Sequence, residues 1–451
     1  MKRLMIFMSA SLLFMSCNHF HHQTLIDARP VLESKVTVSK IPAQKLPTLP
    51  DDSLLTLVQE RTFKYFWDYA HPASGLAREY YGSDELVTID GSGFGVMTIP
   101  VAVERGFISR EDGAERLLKV VEFLNDRADR FHGAFPHWLD GETGETISFS
   151  TYDNGGDIVE TALLLQGLLT ARQYFNSSDP VETQAREIIN EIWETVEWDW
   201  YLHEGEVLNR YWSPDFQWDM DVRVEGWNEG LIAYVLAASS PTHPISREAY
   251  DHGWARNGRI RHGTSFYNMC LPLGERYGGP LYYAHYSFLG LDPRSLSDTY
   301  ADYWEQNVNH TMINYMYCQE NPKGWAGYGE NVWGLTSCSV PDGYVDNSPT
   351  EDHGVVAPTA ALSSMPYTPA ESLRAMRYYY YIIGDKAFGE YGFCDAFSLD
   401  KDWFAPTYLA INQGPIIIMI ENYRTGLLWD LFMRNVCVLD GLEKLGFDYV
   451  K

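Results

Sequence analysis

Apolar residues recur at helical spacing along most of the chain. From Leu54 to Tyr69 they stand at positions 54, 55, 57, 58, 63, 65 and 66, and the segment from Ala114 to Leu124 repeats the spacing. This periodicity is typical of helices that bury one face. Strand signals are few and short, for example ETISFS and EVLNRYW. The pattern therefore predicts an all-α protein with minor short strands in its loops.

Several helix boundaries follow from local sequence. Asp179 followed by proline predicts an N-cap and a first helical turn, opening a helix to about Trp193. Thr368 and Glu371 have the spacing of a capping box, ahead of a tyrosine-rich helix that ends near Gly384. These signals place helices both early and late in the chain.

The pattern predicts long helices that alternate with long connections rich in glycine and aromatic residues through about 400 residues. Residues 416–439 are apolar with little punctuation, which predicts one such long helix. No sequence repeat of fixed period indicates a solenoid. We therefore expect paired helices closed into a toroid, an (α/α)6 barrel. In such a barrel the helix N-termini and the loops before them line a central cleft at one end.

The N-terminus has the features of a secretory signal. Residues 1–16 combine two basic residues with an apolar run that is too short to span a bilayer. Cys17 follows directly, as at a bacterial lipoprotein cleavage site, although Phe14 stands where leucine is usual. We expect a lipoprotein signal peptide over 1–16, a tether over 17–50 and a single domain over 51–451. The mature protein is then expected in the periplasm, held to the membrane only by a lipid on Cys17.

Acidic residues outnumber basic ones by 61 to 34, which gives a formal net charge of -27. A surface this negative repels phosphate backbones, so no nucleic-acid partner is expected. Aromatic residues make up 14% of the chain, which fits either large cores or ring faces that stack on sugars. Five cysteines besides Cys17 form no CxxC pair, which argues against a zinc or redox site and leaves one disulfide open. We expect a monomer.

The stretch TYDNGGDIVETALLLQGLL (151–169) places three acids ahead of an apolar helix. Asp157 and Glu160 have the D-x-x-E form of a capping box, and acids suit the positive end of the helix dipole. Asp153 precedes the cap, so capping does not explain it. The three carboxylates could also bind Ca²⁺, but they do not match an EF-hand loop, and we expect no metal.

A second acidic helix start, DMDVRVEGWNEGL (219–231), precedes another apolar run. Capping could account for Asn228, but it does not explain Glu225 and Glu229 beside Trp227. Two acidic helix starts that meet at one end of a barrel supply what glycoside hydrolysis needs: a carboxylic acid that protonates the leaving oxygen and a carboxylate that activates water. We expect sugar contacts from four residues: Glu225, Trp227, Asn228 and Tyr152.

A third acid, Asp395, lies between two phenylalanines in YGFCDAFSL. It is either a catalytic carboxylate or a buried acid satisfied by backbone N–H groups. Other chemistries fit less well: GSGFG (91–95) lacks the spacing of a dinucleotide site, and neither G-x-S-x-G nor H-E-x-x-H is present. We expect no cofactor. The loops 333–344 and 357–369, dense in small and aromatic residues, are predicted walls of the cleft.

Together these stretches resemble the bacterial glucoamylase-like proteins and, within them, glycoside hydrolase family 144, the bacterial β-1,2-glucanases. The likeness runs from about residue 55 to the C-terminus and is carried by five motifs in order: TYDNGGDIVETALLLQGLL, VEGWNEGLIAYVLA, APTAALSSMPYTP, YGFCDAF and INQGPIIIMIENYRTGLLW. It implies an (α/α)6 barrel that hydrolyses β-1,2-glucan with inversion and without a cofactor.

The resemblance also implies roles for the acids. Glu229 matches the general acid, and Asp153, Asp157 and Glu160 match acids important in the family. For the general base, Asp395 is the first choice, with Asp157 and Asp153 behind it.

The mode of cleavage stays open between two possibilities. We expect release of sophorose from the non-reducing end of β-1,2-glucooligosaccharides, because a periplasmic lipoprotein would meet imported oligosaccharides. Cleavage inside β-1,2-glucan chains is the alternative. The aromatic stretch 261–288 is a candidate for the wall that would close one end of the cleft. Two further alternatives are an α-glucan hydrolase of the glucoamylase type and a lipoprotein that binds glycans without cleaving them.

Overall fold

A computed structural model describes residues 48–449, so the predicted signal peptide, Cys17 and the first 31 residues of the predicted tether (17–47) lie outside the described residues. Helices form most of the regular structure of 48–449. Their bounds are α1 (Asp51–Trp67), α2 (Ile89–Glu104), α3 (Arg110–Asp126), α4 (Ile158–Tyr174), α5 (Pro180–Glu194), α6 (Leu231–Ser239), α7 (Arg247–His252), α8 (Tyr303–Glu320), α9 (Pro358–Leu362), α10 (Pro369–Tyr381), α11 (Gly384–Ala387), α12 (Ala410–Arg424), α13 (Leu427–Phe432) and α14 (Val436–Leu445).

The strands are short, at most six residues, and lie in the connections between helices. They pair antiparallel in one three-stranded and six two-stranded sheets. Their bounds are β1 (Leu86–Thr88), β2 (Trp138–Asp140), β3 (Thr146–Ile147), β4 (Gly156–Asp157), β5 (Tyr211–Trp212), β6 (Arg261–Phe266), β7 (Met269–Leu273), β8 (Leu296–Ser297), β9 (Cys338–Val340), β10 (Gly343–Val345), β11 (Phe388–Gly389), β12 (Gly392–Phe393), β13 (Phe397–Ser398), β14 (Trp403–Phe404) and β15 (Asp448–Tyr449).

The helices form two concentric rings. The inner ring consists of α2, α4, α6, the segment 281–290, α9 and α12, and most of the residues of its five helices are buried. The outer helices α1, α3, α5, α8 and α10 bury one face, as amphipathic helices at a surface do. Packing of α12 against α2 closes the inner ring. The predicted (α/α)6 barrel is confirmed.

Two glycines allow the inner helices α2 and α4 to approach closely. A Cβ on Gly93 would lie 2.5 Å from the Leu164 Cα, and a Cβ on Gly167 would lie 2.1 Å from the Gly93 carbonyl oxygen. No side chain fits there, because real Cβ atoms do not approach backbone so closely. The GSGFG motif therefore serves helix packing, inside α2.

Most predicted helices are confirmed, but two local predictions were wrong. Thr368 precedes α10 without capping it; its hydroxyl donates to the Ser364 carbonyl instead. The predicted long helix over 416–439 is divided into α12, α13 and α14. The first of the two breaks occurs at Gly426, whose φ of 74° is left-handed, and the Asn422 side chain then accepts from two backbone N–H groups of α13.

All five cysteines of the described chain are free thiols; Cys318, Cys338 and Cys394 are buried, and Cys270 and Cys437 are exposed. Among residues 48–449, no helix combines the length and apolarity needed to cross a membrane.

Candidate active site

A cavity opens at the N-terminal end of the inner helices. Asp90 lies in the first turn of α2, Glu160 in that of α4, Glu229 just before α6, and Ile411 in that of α12. The prediction that helix N-termini line a central cleft is therefore confirmed. Loops supply the rest of the lining, chiefly Glu79, His137, Phe149, Asp153, Arg210, Met220, Tyr282, Tyr286, Ser337, Tyr344 and Asp346.

Asp157 caps helix α4 and also faces the charged groups beside the cavity. Its Oδ1 accepts hydrogen bonds from the backbone N–H groups of Val159 and Glu160, at 2.9 and 3.1 Å. Its Oδ2 lies 3.1 Å from the Arg210 Nε. The capping alternative is thus confirmed for Asp157, whereas the residue does not itself line the cavity, and its catalytic role stays a prediction.

Glu160 completes only half of the predicted capping box. Its side chain does not return to the N-cap; Oε2 accepts from the Asp90 backbone N–H at 3.2 Å, and Oε1 accepts from the Arg210 Nη2 at 3.1 Å. Burial and the nearby Asp90 raise the pKa of Glu160 well above its ordinary value. In Asp157, by contrast, Arg210 and His137 outweigh burial and lower the pKa.

Arg210 joins three carboxylates from two helix starts. Besides its contacts with Asp157 and Glu160, its Nη1 donates to the Glu229 Oε1 at 2.8 Å. Only 14% of the Arg210 side chain is exposed, so these charge-assisted bonds lie in a poorly solvated place where they are strong.

His137 is the second cation of the site. Its Nδ1 lies 3.7 Å from Asp153 and 3.6 Å from Asp157, and its Nε2 lies 3.8 Å from Glu160. The ring stacks on Phe149 with centroids 4.1 Å apart. Burial alone would lower the pKa of His137, but the surrounding carboxylates outweigh it and raise the pKa to about 10. The imidazole is therefore protonated at neutral pH.

Asp153 differs from the other acids because the cation nearest to it, His137, lies beyond hydrogen-bonding distance at 3.7 Å. It is 3% exposed, and within residues 48–449 its Oδ2 has no hydrogen-bond partner. Burial raises the pKa of Asp153 to about 7, although His137 acts in the opposite direction. A carboxyl group that exchanges its proton near neutral pH, at the wall of a cavity, suits acid–base catalysis.

The cluster does not suit a metal ion. One ligand atom each of His137, Asp157 and Glu160 lies within 4.8 Å of the others. However, the guanidinium of Arg210 already binds both of these carboxylates, so a metal ion there would have to displace a fixed positive charge or lie beside it. The same guanidinium disfavours Ca²⁺ binding by the three carboxylates Asp153, Asp157 and Glu160, because its positive charge repels a cation.

Asp395 lies behind the cavity wall. It is 1% exposed, its Oδ2 accepts from the Ser339 N–H at 2.7 Å, and its Oδ1 accepts from the Asn412 Nδ2 at 2.7 Å. Asn412 also binds the carbonyl of Ser337, which does line the cavity. The geometry is that of the buried, hydrogen-bonded acid, the second of the two alternatives for this residue.

Three predicted sugar contacts lie away from the cavity. Trp227 is buried and packs on Trp254 and other core rings. Asn228 accepts from the Gly230 N–H, as the capping alternative predicts. The Glu225 carboxylate faces an exposed arginine, Arg256, at 3.9 Å. None of these three lines the cavity, and their role in sugar binding stays a prediction. 

The fourth predicted contact, Tyr152, is 45% exposed and meets Phe216 edge-on. It belongs to the loop that carries Phe149 and Asp153, so it lies near the rim. Whether it binds sugar stays a prediction.

The predicted walls are partly confirmed. Ser337 and Tyr344 from loop 333–344 line the cavity, as do Tyr282 and Tyr286 from the stretch 261–288. Residues 357–369 instead contribute α9 to the buried inner ring. 

Sequence reasoning missed Arg210, His137, Asp346 and Met220. Arg210 lies within the segment EVLNRYW, which shows only a strand signal, so no local pattern marks it as a site residue.

Comparisons with known proteins agree with this description. A family model described as putative glucoamylase matches residues 221–436. An endo-β-1,2-glucanase from Chitinophaga pinensis, solved with sophorotriose and glucose, is 51% identical with a TM-score of 0.87, over 89% of this chain and 99% of that one. A putative glucoamylase from Bacteroides uniformis is 54% identical with a TM-score of 0.88, over 90% of this chain and 99% of that one.

A curated relative is the exo β-1,2-glucooligosaccharide sophorohydrolase (non-reducing end) of Parabacteroides distasonis. It is 45% identical over 420 residues, which is 88% of this chain. The match spans 58% of the length of that relative.

The unpaired oxygen of Asp153 predicts a pH-dependent gain of stability in Asp153→Asn. The folded-state pKa of about 7 lies above the ordinary value of 3.8, so the contribution of Asp153 to wild-type stability falls as the pH rises from about 4 through about 7. Asparagine cannot ionise, so Asp153→Asn should gain on the order of 2 kcal/mol relative to wild type between pH 5 and pH 8. Thermal unfolding followed by circular dichroism across this range measures the difference.

Asp140→Asn is the matched control. Burial acts to raise the pKa of Asp140, but hydrogen bonds from Thr143 outweigh it and lower that pKa. Asp140 is therefore ionised throughout pH 5 to 8, and the stability difference between Asp140→Asn and wild type should not change over this range. A flat difference for Asp153→Asn as well would contradict the assignment.

Proposed function

This chain belongs to glycoside hydrolase family 144, the family of the bacterial β-1,2-glucanases, and on that premise we propose that it hydrolyses β-1,2-glucosidic bonds in β-1,2-glucan or its oligosaccharides. The observation that carries the proposal is the convergence of Glu229, Glu160 and Asp153 on one cavity at the N-termini of the inner helices. Glycosidases need two carboxyl groups facing the scissile bond, and this cavity offers them.

Glu229 is the proposed proton donor to the departing oxygen. It lies at the cavity just before α6, and its side chain is 12% exposed, so it can reach substrate without being freely solvated. Inversion requires a second carboxylate that takes a proton from the attacking water. Asp153 is well placed for this step because it lines the cavity and its Oδ2 accepts no hydrogen bond from residues 48–449, whereas both oxygens of Asp395 accept hydrogen bonds.

The lining suits a sugar ring. Phe149, Tyr282, Tyr286 and Tyr344 present aromatic groups to the cavity, and flat rings bury the C–H faces of sugars while hydroxyl groups meet polar atoms. The negative charge of the cavity is no obstacle, because glucans carry no charge.

We propose cleavage inside the chain as the first mode. The Chitinophaga pinensis endo-β-1,2-glucanase is matched over 99% of its length, whereas the Parabacteroides distasonis sophorohydrolase is matched over 58%. Release of sophorose from the non-reducing end, as in the name of that relative, is the second candidate.

Product analysis separates the modes. Purified protein incubated with linear β-1,2-glucan should give oligosaccharides of mixed length early in the reaction, whereas chain-end cleavage should give sophorose as the main early product. Chromatography of time points resolves the two. No product from either the polymer or its oligomers would contradict the proposed function. Glucose from maltooligosaccharides would support the α-glucan alternative, and tight binding without turnover would support a glycan-binding protein.

Glu229→Gln should lose most activity while keeping its fold. The substitution removes the proton donor but keeps the volume and an oxygen that can accept from Arg210, so kcat on β-1,2-glucan should fall by about 10²- to 10⁴-fold. Circular dichroism should show a melting temperature near that of wild type.

Glu421→Gln is the matched control for Glu229→Gln. Glu421 is also a buried glutamate bound by an arginine, Arg105, but it lies near the C-terminal end of α12. This control should keep kcat within about twofold, since it removes an ion pair without touching the chemistry. Near-normal turnover by Glu229→Gln would refute its role as donor.

For localisation we propose a lipid anchor on Cys17 and a periplasmic position. The support is the basic and apolar pattern of residues 1–16 ahead of the cysteine. In the native type of cell, Cys17→Ala should move the protein from the membrane fraction to the soluble fraction. A wild-type protein that is already soluble would contradict the anchor.

A further inference from the structure

The backbone of Arg210 is fixed on both sides. Its N–H donates to the Val222 carbonyl at 2.7 Å, and its carbonyl accepts from the Ile158 N–H, the first residue of α4, at 2.9 Å. The guanidinium also lies over the Tyr211 ring, 5.3 Å from the centroid. The position of the guanidinium therefore follows from the β4–β5 pairing, in which Asp157 lies opposite Tyr211.

The three carboxylates that Arg210 binds are not held equally by other groups. Asp157 is also fixed by two backbone N–H groups of α4, and Glu160 by the N–H of Asp90. The hydrogen bond that the structure shows for the Glu229 carboxylate comes from the Arg210 Nη1, at 2.8 Å. Arg210 thus holds the Glu229 carboxylate in a fixed position relative to the start of α4, although Glu229 lies on a different loop.

That loop does not itself fix the direction of the Glu229 side chain. It contains Gly226, with a φ of 78°, and Gly230. The Glu229 carbonyl is held by the Ser287 hydroxyl, which places the backbone but leaves the side-chain torsions free. A donor that is misplaced by about 1 Å can lose about 10²-fold in rate, so the partner of its carboxyl group matters.

We propose that Arg210 is a positioning residue for hydrolysis. By binding Asp157 and Glu160 as well as Glu229, it holds the carboxyl group of Glu229 where that group protonates the glycosidic oxygen. The inference rests on the proposed function. A planar guanidinium with three N–H groups directed at three carboxylates can do this, whereas the single ammonium of lysine cannot. The positive charge alone is therefore not sufficient, and the three N–H groups of the guanidinium are required.

Kinetics of Arg210→Lys and Arg210→Ala test the proposal. Arg210→Lys keeps the charge, so the protein should fold, but kcat on β-1,2-glucan should fall by about 10²-fold with KM changed by less than about threefold. Arg210→Ala should lose more, and guanidinium chloride below denaturing concentration should restore at least about tenfold of its kcat, because the free ion can occupy the vacated place between the carboxylates.

Arg105 provides the matched control. It also binds a buried glutamate, Glu421, through Nε and Nη2 at 2.8 and 2.7 Å, but at the opposite end of α2 from Asp90. Arg105→Lys and Arg105→Ala should change melting temperature more than kcat, and guanidinium should not increase their activity.

The outcomes are distinguishable. If Arg210→Lys keeps wild-type kcat, or if KM rises while kcat holds, Arg210 is not a positioning residue. If Arg210→Ala fails to fold, Arg210→Lys still decides between these results. Wild-type protein that leaves β-1,2-glucan intact would instead overturn the proposed function, and this role with it.

Discussion

The concentration of buried carboxylates around two cations is the constraint on which the site depends. Asp153, Asp157 and Glu160 are each at most 3% exposed, and Glu229 adjoins them through Arg210. Burying a charge without a partner costs several kcal/mol, so such a group persists only where cations and N–H groups are fixed around it. Arg210 and a protonated His137 supply the positive charge. Losing either would leave several negative charges facing one another in a poorly solvated space.

The toroid supplies the remaining compensation. Its inner helices begin at one end, so their unpaired N–H groups and positive dipole ends meet where the acids lie. Asp157 and Glu160 use these groups directly: one caps α4 and the other accepts from the first turn of α2. That second contact spans two helices, and it depends on the close approach of α2 and α4 that Gly93 and Gly167 permit. Packing in the core and electrostatics in the cavity are therefore parts of one arrangement.

The sequence was informative where the determining interaction is local. Helix periodicity, the caps at Asp179 and Asp157, and the acidic helix starts all depend on residues within a few positions, and the structure confirms them. It was uninformative where partners are distant: Arg210 meets Glu160 across 50 positions, and nothing near Arg210 indicates that contact. The division of 416–439 was missed because the pattern shows apolar character but not the left-handed turn at Gly426. Trp227 is a different case, since an aromatic residue beside acids predicts a sugar contact, and in the structure its ring is buried against other core rings.

The uneven compensation within the cluster has a functional meaning. If stability alone shaped the site, every carboxylate would be paired, as Asp157 is. Asp153 is instead buried with a free oxygen and a pKa of about 7, which destabilises the fold at neutral pH. Residues that break a rule of stability without local benefit are expected at functional sites. The neighbouring His137 limits that cost without removing it, since its ring lies 3.7 Å away, beyond hydrogen-bonding distance. Asp153 also lines the cavity. The hydrogen bond that the fold does not give to its carboxyl group is therefore left for a hydroxyl group or a water molecule that enters the cavity.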